Sequence, residues 1–107
     1  MKKLLFFACL SLFILSACVT RVPPPTPEVS YDPAIEKIMR NYCLTCHSGA
    51  AASAGLDLST YEGVRAATEF GPLSSRINDL SAPMPPSGVM SEDKRQKIQR
   101  WIEGGFK

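Results

Sequence analysis

A single histidine, His47, is all this chain has for imidazole chemistry, and Trp101 is its only tryptophan. With one imidazole, neither a histidine-rich metal site nor a catalytic pair of histidines is available. An excess of one charge is missing too. Twelve Lys and Arg stand against ten Asp and Glu, a formal net charge of +2, so no basic footprint for nucleic acid is present. At 107 residues the chain has room for about one domain and excludes a multidomain enzyme. Its prominent apolar run, the fourteen apolar or small residues from Leu4 to Ala17, falls short of the about 20 that a helix needs to cross a bilayer core.

That run follows Met1-Lys2-Lys3 and has the form of an export signal, a positive start and then a short apolar stretch. Leu15-Ser16-Ala17-Cys18 resembles the lipobox of bacterial lipoproteins, which implies cleavage before Cys18 and lipid on its sulfur. Several acyl chains hold a membrane stably, at ~0.8 kcal/mol per buried methylene. The alternative is an ordinary signal peptide cut nearby, with Cys18 a free thiol or disulfide partner. Cleavage removes Lys2 and Lys3 and leaves ten basic against ten acidic residues. From Cys18 to Ser30 the chain carries four prolines and little to bury; such a stretch favours extended polyproline II and acts as a spacer. The expected division is residues 1–17 as a removed lipoprotein signal peptide, 18–30 as lipidated Cys18 plus Pro-rich tether, and 31–107 as the folded domain. Its place is then the periplasmic or extracytoplasmic side of a membrane. Val19 after Cys18 resembles the pattern of outer-membrane sorting in two-membrane bacteria.

Cys43-Leu44-Thr45-Cys46-His47 carries the chemistry. C-x-x-C-H is the attachment pattern of a c-type haem. Two thiols at this spacing reach the two vinyl groups of one porphyrin, and the next imidazole falls beneath the ring centre as proximal iron ligand. Three rivals share the spacing: a thioredoxin-like pair, half of a zinc site, and a disulfide formed after export. The thioredoxin reading wants a βαβ setting, and zinc wants ligands that the folded segment lacks. With this motif the chain resembles the c-type cytochromes, which implies one covalent haem c held by Cys43 and Cys46, with His47 on iron.

The opposite face of such an iron commonly takes a methionine. Met39 falls on the face of a helix, where packing explains it, and Met90 precedes the last helix. Met84 lies in Ser81-Ala82-Pro83-Met84-Pro85-Pro86, where three prolines restrict the backbone around it. A preorganised loop of this kind loses little further entropy when it presents a thioether. The resemblance places the distal ligand in a Met-Pro-Pro segment ahead of the last helix, and Met84 matches. In many class I cytochromes a proline carbonyl after the motif orients the proximal imidazole; residues 47–56 contain no proline, so a carbonyl of the Ser48–Gly55 loop is expected to serve.

Helical signals fill the rest. Asp32-Pro33 forms a cap and first-turn proline, followed by a buried stripe at Ile35, Ile38, Met39 and Tyr42. Ser59 with Glu62 forms a capping box for a helix over about Thr60 to Thr68, ended by Gly71-Pro72. Leu73, Ile77 and Leu80 suggest a further short helix. Ser91, Glu92 and Asp93 open a last helix that buries Ile98, Trp101 and Ile102 and stops at Gly104-Gly105. The fold expected is all-α, a small cytochrome c-like domain of three to five helices around one haem. A folded region this small draws little stability from its own side chains, so the haem-free protein is expected to be largely unfolded.

These features point to a membrane-anchored mono-haem electron carrier rather than an enzyme. Its partners are a redox protein donor and acceptor and, through the lipid anchor, a membrane; no nucleic acid and no small-molecule substrate is expected. Near-neutral charge predicts modest electrostatic steering. The alternatives are a haem subunit of a larger dehydrogenase or oxidase complex, a small haem peroxidase, or a gas or redox sensor. A peroxidase wants a free general acid–base group, and His47 is already committed to iron; Arg65 and Arg76 are expected to face solvent or a haem propionate.

Overall fold

Ile35, Ile38 and Met39 recur at the helical period, and burying that stripe sets the direction of the first helix. The structure, a computed structural model, describes residues 24–107; the expected signal peptide and Cys18 lie outside the described residues. A wide turn over Tyr31–Ile35 runs into helix α1 (Glu36–Tyr42). Asp32 has extended backbone (φ −96°, ψ 127°), but its carboxylate caps no amide, and α1 begins only at Glu36, so the expected Asp32 cap does not form. The expected stripe is complete except at Tyr42, which is 37% exposed and faces a cavity described below.

Helix α2 (Tyr61–Glu69) starts one residue later than expected. Thr60 is its cap: the Thr60 Oγ1 accepts from the Gly63 amide at 3.1 Å. Ser59 is diverted, its hydroxyl donating to Asp57 Oδ1 at 2.6 Å, so the box with Glu62 does not form. Helix α3 (Leu73–Asn78) buries Leu73 and Ile77. Leu80, expected on the same stripe, is 79% exposed. The helix ends before it because Asp79 turns extended (ψ 117°) and its Oδ1 takes the amides of Ser81 and Ala82 at 2.8 and 3.0 Å. An aspartate that captures local amides competes with helix continuation.

Helix α4 (Glu92–Glu103) buries Ile98 and Trp101, with Ile102 packed at the edge of the core. Its first turn carries Glu92 and Asp93, favourable beside the positive helix end. Ser91 precedes it, yet the Ser91 hydroxyl accepts from Lys94 Nζ at 2.7 Å instead of capping an amide. Gly105, at φ +79°, ends the helix in a Schellman motif. The Phe106 amide donates to the Trp101 carbonyl and the Gly105 amide to the Ile102 carbonyl, both at 3.0 Å. The hydrophobic contact that accompanies this motif is Phe106 against Trp101, ring centroids 5.0 Å apart and edge-to-face.

Tyr31 and Tyr61 complete an aromatic cluster around Trp101, with centroids at 5.6 and 6.1 Å. Backbone bonds lock it. The Tyr31 amide and Trp101 Nε1 both donate to the Lys107 carbonyl, and the Tyr61 hydroxyl donates to the Phe106 carbonyl at 2.7 Å. Helix α4 thereby packs across the Tyr31–Ile35 turn, while α3 contacts both α2 and α4. Among the described residues there are four α-helices, no strand, and no buried polar side chain. The fold is all-α, a small cytochrome c-like arrangement of helices. No helix among the described residues is long and apolar enough to cross a membrane.

Candidate functional site

Helix α1 ends where the Cys43 amide donates to the Met39 carbonyl, and the chain then winds through Cys43–His47 in a tight turn. The amides of Cys46 and His47 both donate to the Cys43 carbonyl, at 3.1 and 2.9 Å. The loop that follows folds back on this turn. Ser53 donates its amide to Cys46 and Leu58 to His47, at 2.8 and 2.9 Å, so the loop lies beneath the motif.

His47 Nδ1 lies 3.2 Å from the Leu56 carbonyl. A carbonyl only accepts, so the ring proton sits on Nδ1 and the Nε2 lone pair is left free for a metal. The orienting carbonyl expected between Ser48 and Gly55 is therefore one residue farther on. The reason is geometric: a short 3₁₀ turn over Ser53–Gly55 absorbs the end of the loop, and Leu56 is the first residue beyond it to return under the imidazole.

Cys43, Cys46, His47 and Met84 all line one cavity of about 360 Å³. Its walls come from Tyr42, Leu56, Leu58, Pro72, Leu73, Ile77, Pro85 and Pro86, an almost wholly apolar set, with Arg76 as the one charged side chain. Met84 is the only methionine on this wall. Met39 and Met90 sit in the packed core at 1% and 4% exposure. Arg65 lies elsewhere, paired with Glu69 at 3.1 Å and stacked over Phe106.

The Met84 loop is tied to α3. Its own amide donates to the Arg76 carbonyl at 3.1 Å, and Asp79 takes the two amides that precede Pro83. Those amide bonds, Ala82 first, then Ser81, hold the Asp79 carboxyl below its ordinary range, with Arg76 at 3.4 Å adding to them. Sequence reasoning missed the Asp79 brace. Its signal was present as Asp79-Leu80-Ser81, a tripeptide that also occurs as Asp57-Leu58-Ser59. In both, the aspartate accepts from the amide two residues on, an Asx-turn.

Cys43 and Cys46 are free thiols, Cys46 exposed and Cys43 half-buried. Burial pushes the Cys43 thiol up to about 11, the reverse of the depressed value that a thioredoxin-like attacking cysteine needs. No cluster of three or more His, Cys, Asp or Glu among the described residues suits a zinc ion. A haem fits the residues present. Two free thiols flank an imidazole whose Nε2 is free, a thioether shares their cavity, and the walls are apolar with one cation for a carboxylate.

Comparison with known proteins agrees. A family model described as Planctomycete cytochrome C matches residues 43–88, the stretch from the first cysteine of the motif through the Met84 loop. No curated protein and no solved structure matches the chain. The matched family implies covalently bound haem c, and the chain is cytochrome c-like over residues 43–88.

Proposed function

We propose that this protein is a membrane-anchored mono-haem c-type cytochrome that carries single electrons between redox proteins outside the cytoplasm. The observation that carries the reading is the meeting of Cys43, Cys46, His47 and Met84 on one apolar cavity, with the His47 ring proton already engaged on the far side. When bound, the haem supplies one-electron exchange between ferric and ferrous iron. Cys43 and Cys46 would hold the ring as thioethers, and His47 Nε2 and Met84 Sδ would ligate its iron. A soft thioether favours the ferrous state and raises the potential. Arg76, which lines the cavity and pairs with Asp79, would offset a propionate charge in an apolar wall.

Anchoring rests on the lipobox-like Leu15–Cys18 and the Pro-rich spacer after it. A peroxidase or ligand sensor built on the same cavity needs an iron face that Met84 leaves open. One set of measurements separates them: mass spectrometry and oxidised and reduced absorption spectra of protein matured in a competent host, a redox titration, and carbon monoxide exposure at neutral pH. A one-haem adduct, a fairly positive potential and resistance to carbon monoxide are expected. Bare polypeptide would overturn the haem reading, and rapid peroxide turnover or carbon monoxide binding would overturn the carrier role.

A further inference from the structure

The His47–Leu56 hydrogen bond is held from outside the cavity by two residues that belong to neither the haem motif nor the Met84 loop. Asp57 follows Leu56 directly. Its Oδ1 accepts from the Ser59 amide at 2.9 Å and from the Ser59 hydroxyl at 2.6 Å. The carboxylate thus fixes the turn that follows Leu56. The Asp57 carbonyl, meanwhile, is seated against Gly63 in the first turn of α2. A methyl group at Gly63 would overlap that carbonyl oxygen, and Gly63 cannot retreat because its amide is held by the Thr60 cap. The two peptide units that flank the Asp57 Cα therefore link the first turn of α2 to the proximal imidazole.

We propose that Gly63 and Asp57 are positioning residues: they set how closely the Leu56 carbonyl approaches His47 Nδ1, and so the donor strength of His47 Nε2 toward haem iron. The inference rests on the haem reading above. A strong Nδ1–H···O=C bond raises electron density at Nε2 and favours the ferric state. A methyl at Gly63 that turns the Asp57 carbonyl also turns the neighbouring Leu56 carbonyl out of line with Nδ1; the bond weakens, His47 becomes a poorer donor, and the reduction potential rises.

In the haem-loaded full chain, Gly63→Ala is expected to raise the potential. It is also expected to speed exchange of the His47 Nδ1 proton, followed by NMR in the diamagnetic ferrous state, by about tenfold, the worth of one ordinary hydrogen bond. Asp57→Ala shifts both readouts in the same direction by less, and it carries the test if Gly63→Ala does not fold. Ala66→Gly is the control: it sits on the exposed face of the same helix, weakens the helix through propensity alone, and leaves both readouts at the wild-type values. Wild-type values in both Gly63→Ala and Asp57→Ala, or an equal shift in Ala66→Gly, overturn the inference while the electron-carrier reading stands. Wild-type protein without haem sinks both.

Discussion

The same tripeptide stands in both walls of the cavity, Asp57-Leu58-Ser59 below His47 and Asp79-Leu80-Ser81 ahead of Met84. Each aspartate makes the same local turn, and its captured donors hold the carboxyl below its ordinary range: the Ser59 hydroxyl and then the Ser59 amide at Asp57, the Ala82 and then the Ser81 amide at Asp79. The leucines part company. Leu58 is 3% exposed and belongs to the core, whereas Leu80 is 79% exposed. An Asx-turn is encoded by three residues, but the direction in which its middle side chain points depends on what lies around it. On the His47 side, Leu58 joins the core cluster. The Met84 side is a brace at the surface, stiffened by prolines instead of by burial. The wall beside Cys43, Cys46 and His47 thus rests on the core, and the Met84 wall is an appendage of α3.

The severest break in this comparison is to remove the covalent link on the His47 side. The double variant Cys43→Ala, Cys46→Ala is expected to lose the haem adduct and, with it, a cooperative thermal transition by circular dichroism, because a folded region this small gains much of its apolar contact from the cofactor. A native-like melt in that variant contradicts the expectation.

The paired leucines give the next largest effect. Leu58→Ala should destabilise the haem-loaded protein by about 2–4 kcal/mol in urea unfolding, and Leu80→Ala by no more than ~0.5 kcal/mol. Equal losses would erase the distinction between core and appendage. On the Met84 side, Met84→Ala is expected to open the iron to carbon monoxide and lower the potential, at under about 2 kcal/mol of stability because the side chain is only half-buried.

Acid gives the mildest probe. Asp79 has a folded-state pKa below its unfolded value, so its contribution is complete above the ordinary carboxyl range near ~3.9 and is lost as pH falls through the lower, folded value. Loss of Met84 ligation in acid, followed by its absorption band, should therefore set in at very low pH. In Asp79→Asn part of that acid dependence disappears. An unchanged acid profile in Asp79→Asn would remove the brace from the account.

Much of this was legible along the chain. Ile35, Ile38, Met39, Ile98 and Trp101 follow from periodicity, since one buried stripe per helix leaves its mark at fixed spacing. Cys43, Cys46 and His47 stood out because their spacing is chemistry within five residues, and Met84 because prolines adjoin it; the structure sets all four on one cavity. What escaped depends on competition between neighbours or on contacts across the fold. Ser59 against Thr60 for the α2 cap turned on Asp57 capturing the Ser59 hydroxyl. Leu80 left its stripe because Asp79 ended the helix. The orienting carbonyl was misplaced by one residue because a main-chain oxygen carries no sequence signature, and the seat of Asp57 on Gly63 joins elements whose register no local pattern encodes.

Because the acceptor beneath His47 is a main-chain oxygen, every amino acid that replaces Leu56 brings the same oxygen with it. Side-chain scanning at that position reshapes the cavity floor yet cannot delete the acceptor. An amide-to-ester exchange between Leu56 and Asp57 would weaken it directly, since an ester carbonyl attracts a proton less than an amide does. Drift at Leu56 is for that reason cheap, and the pressure against change passes to the neighbours that hold the oxygen in place.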